Sequence, residues 1–232
     1  MSLPSRRPLC RRPLCRSASS PSSPSCPSCS SQPCAATNAS PYSTDQRPSA
    51  RIGPGARPGT PSQALLFGDA ALLAVDHGAV AGLLDDAGAA SGALRGRVLI
   101  DCTNAVGPGF LLTTGEGPGA ARTVAAATGA RVVKAFNHSA ASVWALDPPV
   151  FADGPLAVPL CGDDEAALAL VRTLVRDLGC IPLDAGGLDR ADQLEAMTAF
   201  LIGLWHTGQD PRPMLPPFAA VAGTDRSGLR EA

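Results

Sequence analysis

Apolar and polar positions alternate along the chain in a way that predicts strands and helices in turn. Ala70-Ala-Leu-Leu-Ala-Val75 is a short apolar run, ended by the turn Asp76-His-Gly78, with a helix starting near Gly78 and reaching Leu84. Val98-Leu-Ile-Asp101 is a second apolar run, and Val132 to Phe136 a third, with the Ala-rich stretch Ala120 to Thr128 between them. Leu156 to Cys161 and Cys180 to Asp184 are two more strands around a helix over Asp164 to Leu178. Ser139 to Leu146 is expected to be a short helix stopped by Pro148-Pro149. The last helix, Leu188 to Trp205, sets Leu194, Met197, Leu201 and Leu204 at three- to four-residue spacing, the pattern of a core-facing stripe. Strands that alternate with helices predict βαβ units and a largely parallel α/β sheet.

Residues 1–58 break this pattern. They are rich in Ser, Pro, Arg and Cys, lack periodicity, and hold eight of the arginines against one acid, Asp45. Such a segment is expected to be disordered, because it has too little apolar area to offset its ordering entropy. Three sharper readings stand beside that one. Cys26-Pro-Ser-Cys29 with Cys10, Cys15 or Cys34 could hold zinc, but no second ligand pair with suitable spacing accompanies it. The Arg/Ser bias with few acids is that of an organellar transit peptide. The composition is also that of a GC-rich gene read out of frame. The expected organisation is a segment over 1–58, an incomplete Rossmann-like nucleotide-binding domain over 59–210, and an irregular tail over 211–232.

The remaining body is acidic, which argues against nucleic acid as its main partner. No run of about 18 apolar residues predicts a membrane span. Cys102, Cys161 and Cys180 lie in or beside apolar runs and are expected to be buried small hydrophobes. With no secretory signal core, the expected compartment is the cytoplasm.

Ligands of such sheets bind beyond the carboxyl ends of the strands. That places Ala74 and Val75, Asn104, and Ala135 to Asn137 as the candidate binding residues. Asn104 could bond a carboxamide or ribose hydroxyl, or close an Asx-turn. Asn137 follows the same logic, and Phe136 is alternatively core. His77 could reach a phosphate or ribose, cap the next helix, or face solvent. Lys134 alternates away from Ala135 and suits a salt bridge better than catalysis. Asp163-Asp164-Glu165 suits a helix N-terminus better than a metal. Gly115-Glu-Gly-Pro-Gly119 lacks the Lys-Ser/Thr of a phosphate loop. No Ser-His-Asp constellation or HExxH occurs, and no side chain is expected to be catalytic.

Five segments in order carry a resemblance: Leu73-Ala-Val75 with His77; Ile100-Asp-Cys-Thr-Asn104; Val133-Lys-Ala-Phe-Asn137 followed by Val143-Trp-Ala-Leu146; Gly162-Asp-Asp-Glu165; and Leu178-Gly179 through Ile181 to Gly186. Over roughly residues 53–206 the chain resembles the deazaflavin (coenzyme F-420)-dependent NADP oxidoreductases, and the related nucleotide-binding domain of membrane metalloreductases. The resemblance implies a Rossmann-like fold and hydride exchange between NADPH and a deazaflavin or flavin-like acceptor. It implies that Ala74, Val75, His77, Asn104, Ala135, Phe136 and Asn137 bind the cofactors, and that a homodimer could form through the C-terminal helix. His138 stands where relatives often carry a small hydroxyl or aliphatic residue, and it could reach an acidic acceptor.

The departure from the family is at its opening. Relatives begin with a strand, a GxGxxG turn, a helix and a second strand, and no GxGxxG occurs here. Gly53-Pro-Gly55 is no substitute, since Pro removes an amide donor. The first βαβ unit is therefore expected to be missing, with its length taken by the Ser/Pro-rich segment. That match in length favours a frameshifted or mis-started reading over a transit peptide. The alternative to an oxidoreductase is an inactive or partner-binding remnant, with open strand edges and an apolar cleft.

Overall fold

A computed structural model describes residues 58–151, 154–217 and 220–221. The segment expected to be disordered, including Cys26 and Cys29, lies outside the described residues, as does most of the tail.

Twelve elements follow in chain order: α1 Pro61–Phe67, β1 Ala70–Leu73, α2 Val80–Asp86, β2 Val98–Asp101, α3 Ala120–Thr128, β3 Arg131–Lys134, the small strands β4 Val150–Phe151 and β5 Gly154–Pro155, β6 Ala157–Gly162, α4 Glu165–Asp177, β7 Ile181–Asp184, and α5 Ala191–His206. The five-stranded sheet has the order β1-β2-β3-β6-β7. β1, β2 and β3 run parallel, as do β6 and β7, while β6 is antiparallel to β3. This is the expected mostly parallel, Rossmann-like α/β sheet. Among the described residues β1 is an edge strand.

Side-chain alternation along the strands supplies two cores. Leu99, Val132 and Leu73 point to the face covered by α2, α3 and α5, where they meet Leu84, Val124 and Leu194. Val98, Ile100, Val133 and Leu160 point to the other face, against Ala167, Val171 and Val175 of α4. Each fully buried aliphatic side chain here is worth about 1.5–3 kcal/mol relative to exposure. α4 does not reach the β1 side of that face, and Leu72 stays 59% exposed.

The local starts are legible in the sequence. Thr60 caps α1 in a reciprocal box with Gln63, behind Pro61 in the first turn. Asp164 caps α4, with Asp164 Oδ1 accepting from Ala167 N at 2.8 Å. Helix α3 has no cap of its own. Its first amides are taken by α5: Gly119 N donates to Asp192, and Ala120 N and Ala121 N donate to Glu195, at 3.0–3.2 Å. A side chain at 119 would sit 2.5 Å from Asp192 Oδ1, so only glycine lets that carboxylate in.

Three expectations need correction. Residues 139–146 form turns and no helix. With no crossover helix to carry the chain back across the sheet, β6 returns from the edge where β3 ended and pairs antiparallel. α5 presents Leu194, Glu195, Thr198 and Ala199 to the core, while Met197 is 44% exposed. The buried stripe thus carries two polar residues, and apolar side chains face outward. Cys161 and Cys180 are buried as expected, but Cys102 is only partly so. Helix α1 and the β4–β5 hairpin were not anticipated.

Candidate functional site

Because β1, β2 and β3 are parallel, Ala74–His77, Cys102–Asn104 and Ala135–Asn137 emerge at one edge of the sheet. Beneath that edge lies a buried ion cluster. Lys134 Nζ meets Asp101 Oδ2 at 2.9 Å and Glu195 Oε1 at 2.8 Å, and donates to Thr103 O. All three charged side chains are at most 1% exposed. Asp101 Oδ1 accepts from Thr103 N, and Glu195 holds the α3 amides, so the cluster's carboxylates are hydrogen-bonded as well as paired. Lys134 is therefore the salt-bridge residue the alternation indicated.

Above the cluster the two asparagines meet. Asn104 Nδ2 donates to Asn137 O, and Asn137 Nδ2 donates to Asn104 Oδ1, both at 2.9 Å. Asn137 Nδ2 also reaches Thr198 Oγ1 at 3.2 Å, and His138 Nδ1 lies 3.1 Å from the same hydroxyl. Ala135 is buried at the strand end. Phe136 has a left-handed backbone, φ 60°, and packs edge-on against Trp144 with ring centroids 5.2 Å apart. A positive φ at a bulky residue is strained, and such strain concentrates at functional turns. Burial pushes the His138 imidazole below its ordinary pKa. Burial, with Asp101 adding to it, pushes the Cys102 thiol up to about 12.

The β1 tip is separate from this network. Ala74 is exposed, and Val75 lines a cleft of about 200 Å³ between α1, β1 and α2 with Leu65, Leu73, Leu84 and Leu99. No hydrogen bond joins these residues to the asparagine pair among the described residues. His77 opens the turn before α2, and its Nδ1 is buried without a partner.

Unsatisfied buried side-chain atoms among the described residues number three: His77 Nδ1, Thr103 Oγ1 and Asn137 Oδ1. They lie on the loops after β1, β2 and β3 in turn, at the same sheet edge. Sequence reasoning missed Thr103 and Thr198. The available signal for Thr198 was a polar residue three positions after Glu195 on a stripe that must face the sheet. Asp163 and Asp164 lie at the opposite edge, where they bind Leu188 N and cap α4. Among the described residues no group of three or more His, Cys, Asp or Glu side chains is placed to hold a metal, and no helix is long and apolar enough to cross a membrane.

No family model matches the chain. A solved structure from Arthrobacter sp. FB24, described as an F-420-dependent NADP reductase, is 26% identical, with a TM-score of 0.58 over 65% of this chain and 70% of that one. The metalloreductase STEAP3 of Rattus norvegicus is 40% identical over 74 residues, which is 32% of this chain and 14% of that protein. A Streptomyces aurantiacus imine reductase is 23% identical, with a TM-score of 0.44. The chain thus resembles the F-420-dependent NADP reductase in fold and in sequence, and shares a short related stretch with the metalloreductase. Its architecture is that of NAD(P)-linked oxidoreductases. It spans about one-seventh of the metalloreductase it matches.

Proposed function

We propose that the carboxyl edge of β1, β2 and β3 takes the nicotinamide–ribose half of NADPH, and holds a deazaflavin or flavin-like ring against it for hydride exchange. The observation that carries this is the set of three unpartnered buried atoms on three successive strand-end loops. A buried polar atom without a partner costs about 1–3 kcal/mol, so a ligand that supplies the partners recovers that cost. Asn137 Oδ1 accepts from a carboxamide or ribose donor, the Thr103 hydroxyl bonds a second ribose atom, and His77 Nδ1 completes the wall with Ala74 and Val75. Asn104 holds Asn137 in place, Ala135 gives a close approach, and Phe136 covers the ring. The bound nicotinamide supplies the hydride chemistry; the protein contributes alignment and exclusion of water.

The phosphate half does not fit. The sequence has no GxGxxG, and the free amides at the start of α3 are already held by Asp192 and Glu195. The residues present therefore favour the nicotinamide end over the pyrophosphate end. A fluorescence titration of the full chain with NADPH and with reduced nicotinamide mononucleotide tests this. Comparable, weak binding of both is expected, because the adenosine half finds no cradle. Much tighter binding of NADPH would place a phosphate site elsewhere in the chain.

A second reading is an inactive remnant that binds only a partner chain. The edge of β1, unpaired among the described residues and beside an apolar cleft, favours it, since a free edge pairs readily with another strand. Absence of binding by both nucleotides would select this reading. The proposed partner in either case is a second copy of the chain, meeting it through α5.

A further inference from the structure

The Thr198 hydroxyl has one hydrogen and two lone pairs. Its hydrogen goes to Leu194 O, 2.8 Å away on the preceding turn of α5. Its lone pairs then face Asn137 Nδ2 at 3.2 Å and His138 Nδ1 at 3.1 Å. Nδ1 must therefore carry a hydrogen, and in the neutral ring the lone pair resides on Nε2. Trp205 lies edge-on to the imidazole with centroids 6.2 Å apart, which fixes the ring from the same helix. Nε2 has no hydrogen-bond partner among the described residues, and the residue is partly exposed. Burial alone lowers its basicity, with no charged group contributing, so the ring is neutral near pH 7. The Nδ1–H bond to Thr198 is kept whether or not Nε2 is protonated, so the ring can take and return a proton without turning.

We infer that His138 Nε2 is the proton acceptor for a reduced ring that gives hydride at this edge. The inference rests on the hydride-exchange reading above. Oxidation of a dihydrodeazaflavin removes a hydride from carbon and a proton from a ring nitrogen. The hydride, with its electron pair, goes to the oxidised nicotinamide at C4. The ring N–H bond breaks, and His138 Nε2 receives the proton as an imidazolium. In the opposite direction the imidazolium returns that proton while the nicotinamide returns the hydride.

The test uses the full chain labelled with ¹⁵N-histidine, which has three histidines, His77, His138 and His206. Loss of one set of signals in His138→Gln assigns the residue. Long-range ¹H–¹⁵N spectra near neutral pH are expected to show Nδ1 protonated and Nε2 bare, the reverse of the tautomer that free histidine prefers. Thr198→Val is expected to return the ring to the Nε2–H form, and Thr198→Ser to keep the Nδ1–H form. Addition of reduced 5-deazariboflavin is expected to shift the Nε2 resonance and leave Nδ1 protonated. An Nε2–H tautomer in the unaltered chain overturns the inference, and so does an Nε2 resonance unmoved by saturating reduced deazariboflavin. Failure of the dinucleotide reading is distinguishable: neither nicotinamide nucleotide binds, while the tautomer and the deazariboflavin shift persist.

Discussion

Asn104 and Asn137 set each other's amide orientation, and a backbone carbonyl decides both. Asn104 Nδ2 must donate to Asn137 O, which turns Asn104 Oδ1 toward Asn137 Nδ2. Flipping either amide would bring two donors or two acceptors face to face. Asn137 Oδ1 is therefore the atom left over, and its lack of a partner is a consequence of the clasp.

Replacing Asn137 by Leu strands Asn104 Oδ1 and removes one of the two donors to the Thr198 hydroxyl. The variant is expected to lose about 1–3 kcal/mol in urea unfolding. It should also lose binding of reduced nicotinamide mononucleotide. Unchanged stability together with unchanged binding would remove Asn137 from both roles.

The buried cluster makes a larger demand. Lys134 is the single cation between Asp101 and Glu195, all three out of solvent. Lys134→Met leaves two buried carboxylates without their counter-charge, and removal of one partner from such a set costs about 3–5 kcal/mol. Chemical denaturation followed by circular dichroism measures it. A loss under 1 kcal/mol would mean that water reaches the cluster.

Cys102 supplies a pH prediction. Its folded pKa is raised from the ordinary thiol range to about 12, by burial first and by Asp101 second. At pH 9 the folded thiol is then roughly one part in a thousand thiolate, so iodoacetamide should leave Cys102 unmodified under native conditions. The sign for stability follows from proton counting. Between pH 9 and pH 12 the unfolded chain has released this proton and the folded chain retains it, so this group makes stability fall as pH rises through that window. Mass mapping after alkylation at pH 9 checks the first point; fast labelling of Cys102 in the folded chain would contradict the burial.

Much of this was legible because periodicity is local. β2 and α3 have the residue ranges their apolar runs predict, and the tips of β1, β2 and β3 fall at one edge because parallel strands require it. The face of α5 was misread for an equally local reason. Spacing alone selects Leu194, Met197, Leu201 and Leu204, but the buried ammonium of Lys134 and the amide of Asn137 need acceptors. Glu195 and Thr198 answer that need and turn the helix toward the sheet. The direction of β6 was illegible for a related reason, since it depends on the absence of a crossover helix over 139–146, where a helix was expected. The unpartnered Asn137 Oδ1 could not be read from sequence, because it arises from the three-dimensional clasp between Asn104, Asn137 and Thr198.

The same rotation of α5 leads to the last prediction. From Ala196 to Trp205 the helix carries no charged residue. Its sheet-facing side is used by Leu194, Glu195, Thr198 and Ala199. Met197 and Phe200 are left 44% and 56% exposed. A helix apolar on its outward side is normally covered, and a two-fold axis would let this face cover itself. Light scattering on the full chain is therefore expected to give twice the 23.5 kDa chain mass. Phe200→Glu, and independently Met197→Glu, should shift the species to the monomer while far-ultraviolet dichroism stays the same, because neither side chain is part of the buried core. A monomer in the unaltered chain would sink the proposal; a dimer insensitive to both substitutions would move the interface away from α5, with the open edge of β1 the next surface to test.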